Sequence, residues 1–583
     1  MKHIKILISD RNYNSWEFIC NDTNSVLSHD EYPELKLIHP IERKLFSRDT
    51  FIITNKECAS IEITKSYIKS CPSISGVLQL ENNKTFGRTA NKKRLLYKCI
   101  PDDKHLPVFL IPYEVKLGFS KVQKNKYIVF KFDNWNDKHP QGIIQETIGD
   151  VDSLEAFYEY QLYCKSLHIS ITDFTNKTRE QLNKKTSDDY VEQIFKHTNF
   201  VIEDRRNEYI FTIDPLHSTD FDDGYSIKTL DNGCTKISIY IANVYFWLET
   251  LSLWNSLSKR VATIYLPDRR RPMLPTILSD TLCSLQEDQQ RFAMVMDIVF
   301  DENGDYNEAD IEYKNVLVNV KKNYVYEEPK LAKDKAYQML YILSKKLDSN
   351  IEDSHDVVAY WMVFMNSQTG SKMVQVNIGI YRSVNYINPN LRNDVHSDLD
   401  SDTCRIIQTW NNSIGQYVAI QNENIDTINL NHDLMKTKAY VHITSPIRRL
   451  VDLLNQMQLF KHLNMVRTMS AESIEFMDKW ISELDYLNSS MRSIRKIQTD
   501  CALLDRCFNH PEIMNETYTG VVFDKLVRSD GTICYMVYLQ ELKLLSRLSS
   551  TQIDINNYTK RQFKIYLFED EDKTKKKIRL HLV

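Results

Sequence analysis

Only 13 of the 583 residues are glycine, about a third of ordinary usage. Glycine-rich loops let a backbone close around phosphates, and this chain contains neither G-x-G-x-x-G nor G-x-x-x-x-G-K-S/T. A Rossmann dinucleotide crevice and a Walker loop are therefore excluded. Any phosphate chemistry must rest on side chains, cations or helix ends. The 42% hydrophobic and 11% aromatic content belongs to a folded protein, and the length predicts roughly three or four domains. Lys and Arg number 74 against 78 Asp and Glu. That balance argues against a generally cationic nucleic-acid coat and leaves local patches open.

No apolar run reaches 18 residues, and Met1 to Phe18 lacks the apolar core of a secretory signal, so no membrane association is expected. The 11 scattered cysteines contain no C-x-x-C pair, which predicts reduced thiols in a cytoplasmic or nuclear protein. Residues 1 to about 165 read as short strands, such as Phe51–Ile53 and Tyr127–Phe130, forming two small barrels. Two basic stretches lie here: Lys84, Arg88, Lys92, Lys93, Arg94 and Lys98, then Lys116, Lys121, Lys124, Lys126 and Lys131. Phe86, Tyr97, Phe119 and Tyr127 are interleaved with them. This mixture suits single-stranded nucleic acid, or else a cationic edge that discourages strand pairing. Residues 190–510 mix strands with long amphipathic helices, such as the patterns from Ser473 to Phe508 and from Val357 to Met373, and strand-like runs return from Tyr518 up to a basic tail, Lys573–Arg579.

The segment Tyr209–Gly224 concentrates chemistry. An apolar strand runs into Asp214, Pro215 breaks it, and Asp220, Asp222 and Asp223 follow. In an extended chain Asp220 and Asp222 share one side and Asp223 faces the other, and a bulge near Gly224 would gather all four. Gathered carboxylates repel and hold their protons unless cations neutralise them. Hard oxygen ligands suit Mg²⁺ or Mn²⁺, the apparatus of phosphodiester hydrolysis. An acidic surface turn holding a structural cation is the alternative.

A second constellation is Tyr440–Asp452. Ser445 reads as an N-cap and Pro446 as the first helical residue, placing Arg448 and Arg449 in the first turn. Cations there oppose the helix dipole, so an anion such as a phosphate is the natural counterpart. Ion pairs, Arg448 to Asp452 or Arg449 to another domain, are the alternative. Tyr265 beside Arg269, Arg270 and Arg271 offers a stacking face with phosphate contacts, and Tyr324 and Tyr326 offer another. For each tyrosine, half-buried packing is the competing reading. His217, His432 and His442 share no metal-ligand spacing and are read as structural.

Together these segments resemble the ribonuclease II family of RNB-domain exoribonucleases, which includes the catalytic subunit of the eukaryotic exosome. The resemblance is carried by Thr212–Pro215 with Asp220–Asp223, by Tyr265–Asp268 with Pro272–Pro275, by Leu278–Ser279 with Leu282–Leu285, and by His442–Arg449, in family order over about residues 200–455. It implies a multidomain α+β protein: a cold-shock-like OB barrel at 1–70, a second at 71–185, a mixed α/β RNB catalytic domain at 186–510, and a small C-terminal OB-like barrel at 511–583. It leaves no room for the endonuclease domain that the exosome subunit carries at its N-terminus.

The resemblance further implies a processive hydrolytic 3′-to-5′ exoribonuclease that converts single-stranded RNA to nucleoside 5′-monophosphates, as a monomer or within a multisubunit complex. Asp214, Asp220, Asp222 and Asp223 would hold Mg²⁺ (or Mn²⁺), with Asp222 the most sensitive catalytic position. Arg448 would stabilise the scissile phosphate, Arg449 would join it at the substrate, and Tyr265 and Tyr326 would clamp the terminal nucleotides. Three positions depart from the family pattern: Tyr360 in place of a ribose-contacting Glu, Asn243 in place of an Asp, and Leu450 in place of a Tyr. An RNA-binding scaffold without turnover and a metal-dependent DNA nuclease are the rival readings.

Overall fold

The computed structural model describes residues 3–384, 399–420, 429–569 and 576–583, except 56, 58, 82–83, 90–92, 116–122, 413–414, 529–530 and 551–552. The first unit is an antiparallel sheet of strands Trp16–Cys20, Ile4–Ile8, Thr50–Asn55 and Ser60–Lys65, in that order. Its pattern follows from period-two alternation: Ile4, Ile6 and Ile8 are buried on one face while Lys5 and Leu7 turn away. The second unit is a closed barrel of strands Ile74–Leu78, Leu95–Pro101, Phe109–Tyr113, Gln141–Asp150 and Lys126–Asn134. Gly142 is required there, because a Cβ would stand 2.6 Å from the ring of Phe130. The two units share one core, in which Phe46 from the first stacks on Phe109 at 5.8 Å and tilts against Trp135 at 4.7 Å.

Helix Leu154–Cys164 joins this pair to the rest. Its Tyr160 stacks on Tyr127 of the barrel at 4.2 Å, and its Tyr158 hydroxyl donates to Asp505 of the long helix Leu484–Asn509. The central domain is built on a seven-stranded sheet: Ile202–Asp204, Glu312–Asn319, Gln290–Phe300, Thr235–Ala242, Asp223–Thr229, Phe211–Asp214 and Lys322–Val325. The two outermost pairs are parallel and the inner ones antiparallel. Helices Ser354–Gln375 and Leu450–His462 bury Trp361, Met365, Leu453 and Met457 in the core shared with that sheet. At the C-terminus, strands Leu544–Ser550, Ile533–Leu539, Tyr518–Val527, Thr559–Glu569 and Lys576–Leu582 form a five-stranded antiparallel sheet around Phe563, Tyr535 and Val537.

Three expectations change at this level. The amphipathic pattern from Ser473 to Phe508 is two helices, Ala471–Ser482 and Leu484–Asn509. Tyr127 and Tyr97 are buried in the barrel and offer no face to a base; Tyr127 is fully enclosed by its stack on Tyr160. Of the basic stretches, Lys124 and Lys126 are paired with Asp152 and Asp150, and Lys84 and Lys98 lie over the ring of Phe86. Lys92, Lys116, Phe119, Lys121 and Lys573 lie outside the described residues.

Candidate active site

The carboxylate segment sits where two neighbouring strands meet a loop. Strand Phe211–Asp214 ends on Asp214, the chain turns with the Ser218 N–H donating to the Pro215 carbonyl, and strand Asp223–Thr229 begins on Asp223. The loop between them is fixed from outside by the segment that follows Ile277–Leu282. The Phe221 N–H donates to Ser284 Oγ, that hydroxyl donates to the Thr219 carbonyl, and the Leu285 N–H donates to the Phe221 carbonyl.

Asp222 is 2% exposed. Its Oδ1 accepts the Ile447 N–H at 3.0 Å. Arg448 Nε stands 3.2 Å from Oδ2 without hydrogen-bond alignment, so that buried oxygen has no donor. Burial pushes the Asp222 carboxyl up to about 8 against the pull of Arg448. Asp223 is raised by burial to about 6, with the Tyr225 hydroxyl donating to its Oδ2 at 3.0 Å. Asp214 is raised well above the carboxylate range, by burial first and by Asp223 second, and its Oδ2 also lacks a donor. Asp220 stands differently, accepting Arg270 Nη1 at 2.7 Å on Oδ1 and facing the Tyr265 hydroxyl at 3.4 Å on Oδ2.

Asp214, Asp222 and Asp223 thus form one electrostatic group, with Asp220 beside it. Among the described residues no group of three or more His, Cys, Asp or Glu side chains is arranged to hold a metal ion. Two buried, donor-free carboxylate oxygens still fit a hard divalent cation, which takes one or two protein carboxylates and completes its shell with water and phosphate oxygens.

The arginine segment departs from its expected form. Helix Leu450–His462 starts after Arg449, and residues 445–448 make a turn. Ser445 does not cap a helix; its N–H donates to Asp452 Oδ1 at 2.7 Å. Arg448 projects half-exposed beside Asp222, and Asp222, Tyr265 and Asp223 hold its charge against the penalty of burial. Arg449, expected at the substrate, turns instead to Asp452 Oδ1 at 2.8 Å. This is an i,i+3 ion pair with a fully buried carboxylate.

Tyr265 is 41% exposed, on a two-strand hairpin opposite Arg270. Burial of its hydroxyl and the nearby Asp220 push it up to about 12. Two of the three arginines beside it are committed to protein partners, Arg270 to Asp220 and Asp280, and Arg271 to Asp268 and Glu159, while Arg269 is 66% exposed with longer contacts to Glu159 and Asp268. Tyr326 stacks flat on His355 at 3.7 Å, and its N–H donates to the Asp214 carbonyl, which places it beside the carboxylates. Tyr324, 8% exposed with its hydroxyl on Asp334, is packing.

The departures are also located. Asn243 is buried, donating to Asn315 Oδ1 and accepting the Phe246 N–H, both at 3.1 Å. Tyr360 packs edge-on against Trp361, and Leu450 is buried with its N–H on the Val261 carbonyl. His442 is half-buried, with its ring nitrogen on the Tyr417 hydroxyl. Sequence reading missed Tyr225, Asp280 and Ser284. Tyr225 carried a signal, two residues beyond Asp223 and so on the same strand face, and Ser284 lay in the Leu282–Leu285 motif without a role assigned to it.

The RNB domain matches residues 202–336 and 330–465, the stretch that holds the four carboxylates, Tyr265, Tyr326 and Arg448. The middle of this chain is an RNB domain. Among curated relatives, DIS3-like exonuclease 2 of Schizosaccharomyces pombe is 30% identical over 219 residues, 33% of this chain and 22% of that protein. The chain thus spans well under two thirds of that relative's length. Over its whole length the fold matches Mycoplasma genitalium RNase R in complex with ribose-methylated single-stranded RNA, with a TM-score of 0.71, 16% identity and full coverage of both chains. It also matches yeast Ssd1, a pseudonuclease, with a TM-score of 0.57 and 14% identity over 97% of this chain and 80% of that one. At these identities the likeness speaks for the fold alone.

Proposed function

We propose that this chain is a hydrolytic 3′-to-5′ exoribonuclease acting processively on single-stranded RNA and releasing nucleoside 5′-monophosphates. The observation that carries the reading is the pair of buried, donor-free oxygens of Asp214 and Asp222 with the half-exposed guanidinium of Arg448 beside them. Such oxygens are costly to bury unpaired, and a site that will receive a cation and a phosphate accounts for leaving them so.

In this reading Asp214 and Asp222, whose buried oxygens lack a donor, would hold Mg²⁺ or Mn²⁺, with Asp223 and Asp220 beside them. The cation, when bound, supplies charge stabilisation and an activated water. The chain's own groups do the rest. The Ile447 N–H orients Asp222, and Tyr225 orients Asp223. Arg448 offers a planar fork to the non-bridging oxygens of the scissile phosphate, where negative charge grows during attack. Tyr265, beside Asp220, and Tyr326, beside Asp214, would provide faces for the last bases of the strand, Tyr326 with the face that His355 leaves uncovered. Arg449, committed to Asp452, holds the turn that presents Arg448.

The fold is also that of a pseudonuclease and so is compatible with a second reading, an RNA-binding scaffold without turnover. One experiment separates them: incubation of the full chain with 5′-labelled single-stranded RNA and Mg²⁺, with product length and 5′-monophosphates analysed. Progressive shortening from the 3′ end supports the nuclease. Retained binding without shortening defeats it, and equal hydrolysis of a DNA strand defeats the RNA specificity.

A further inference from the structure

The hairpin Ile264–Tyr265 with Arg270–Arg271 is anchored at two places. At its base, the Thr263 N–H donates to the Arg448 carbonyl at 2.9 Å and the Leu450 N–H to the Val261 carbonyl at 3.0 Å, tying it to the turn that presents Arg448. At its tip, Arg270 reaches out with both ends of its guanidinium. Nη1 donates to Asp220 Oδ1 at 2.7 Å, and Nη2 donates to Asp280 Oδ2. Asp280 is itself pinned, with Ser279 Oγ donating to its other oxygen at 2.5 Å and Gln286 Nε2 donating to its carbonyl at 2.5 Å. The remaining oxygen of Asp220 faces the hydroxyl of Tyr265, the residue directly across the hairpin from Arg270.

This closes a ring: Asp280 to Arg270, Arg270 to Asp220, Asp220 to Tyr265, and Tyr265 across the hairpin back to Arg270. Both oxygens of Asp220 face protein partners, whereas Asp214 Oδ2 and Asp222 Oδ2 have no donor. Arg270, Asp220 and Asp280 are all largely shielded, with side chains 25%, 12% and 22% exposed, so solvent does not dissolve the pairing. A planar fork gripping two carboxylates at once fixes angle as well as distance, which a lysine cannot do.

We propose that Arg270, braced by Asp280, is a positioning residue that holds Asp220 against Tyr265, so that the carboxylate loop and the nucleotide-facing tyrosine are set at a fixed spacing. The inference rests on the proposed reading of Tyr265 as a face for the RNA end. Losing Arg270 lets the hairpin drift from the loop, and the strand's terminal base loses an aligned partner. The effect belongs to RNA engagement and falls on KM more than on kcat.

The test uses the full chain and a 5′-fluorescein-labelled, unstructured 12-nucleotide RNA, with binding read by anisotropy in EDTA so that turnover plays no part. Arg270→Met is expected to weaken binding about tenfold, the loss expected when one base forfeits its aromatic partner. Asp280→Asn should weaken it similarly, with the double variant no worse than either single one, because both break the same ring. In a Tyr265→Phe background, which already lacks the hydroxyl contact, Arg270→Met should matter less than threefold. Arg270→Lys, which grips one carboxylate, should fall between wild type and Arg270→Met, and it carries the test if the methionine variant does not fold.

Binding of Arg270→Met within twofold of wild type, or additive losses in the double variant, overturns the proposal. A wild-type chain that binds this RNA but never shortens it with Mg²⁺ refutes the exoribonuclease reading instead, and the EDTA binding series still decides the role of Arg270.

Discussion

Asp222→Asn should abolish turnover and at the same time make the metal-free protein more stable. The Asp222 carboxyl is held at about 8, first by burial and against the attraction of Arg448. Its unfolded value is near 3.9. A folded value raised above the unfolded one means that the folded state binds more protons between these limits. The associated stability is therefore fully present below about pH 4 and lost as pH rises through about 8. At 1.36 kcal/mol per unit, the cost of the carboxylate is on the order of 5 kcal/mol at pH 8 and about 2 kcal/mol at pH 5. Asparagine retains an oxygen for the Ile447 N–H and removes the charge. Melting in EDTA should accordingly place Asp222→Asn several degrees above wild type at pH 8, with the gap shrinking towards pH 5. Adding Mn²⁺ should raise the wild type more than the variant, because a ligand that binds only the folded state stabilises it. A variant that melts at or below wild type at pH 8 in EDTA, or a gap that does not shrink on acidification, would refute the reasoning.

Arg448→Lys should lower kcat at least tenfold while leaving RNA affinity in EDTA within about threefold, since an ammonium cannot reproduce the fork on a charging phosphate; single-turnover cleavage of labelled RNA checks this. Away from the site, Arg205 grips Asp297 through two hydrogen bonds of 2.9 and 2.6 Å in the sheet interior, with Lys236 and Ser238 on the same carboxylate. Although burial opposes it, these partners lower Asp297 to about 2. Its contribution of about 2 kcal/mol is present above roughly pH 4 and lost as pH falls through 2, while Arg205→Met should cost about 3–5 kcal/mol at neutral pH by leaving the charge buried; urea midpoints measure both. Asn243→Asp, which restores the family's usual residue, should destabilise by about 2–4 kcal/mol because the site is fully buried and offers amide partners instead of a cation. Thermal melts that show no loss would mean the position is more open to solvent than its burial indicates.

Strand content, the carboxylate loop and its neighbours in the RNB domain were legible because each is written in consecutive residues. Ile4, Ile6 and Ile8 announce a strand face by alternation, and Asp220, Asp222 and Asp223 announce their loop by proximity. What could not be read was which distant group completes each one. Arg270 and Arg271 look free in the sequence and are engaged by Asp220 and Glu159, 50 and 112 positions away. Tyr127 looks like a stacking face until Tyr160 covers it from a helix in the next unit. Charge and aromaticity state what a side chain can do, while the fold decides which partner reaches it first.

The segment at Ser445 shows the same competition at the point that matters most. By local rules Ser-Pro opens a helix, and Arg448 and Arg449 would then sit in its first turn against the dipole. The chain avoids that conflict by delaying the helix to Leu450. The Ile447 N–H, which a helix opening at Ser445 would also have left without a helical partner, donates to Asp222 Oδ1, 225 positions away. Asp452, in the first turn of the delayed helix, takes both the Ser445 N–H and Arg449, with its negative charge at the helix N-terminus, where the dipole favours it. Local preference is thus overridden where a turn serves the site better than a helix would. One guanidinium is locked to hold the turn, and the other is left beside the carboxylates for an incoming phosphate.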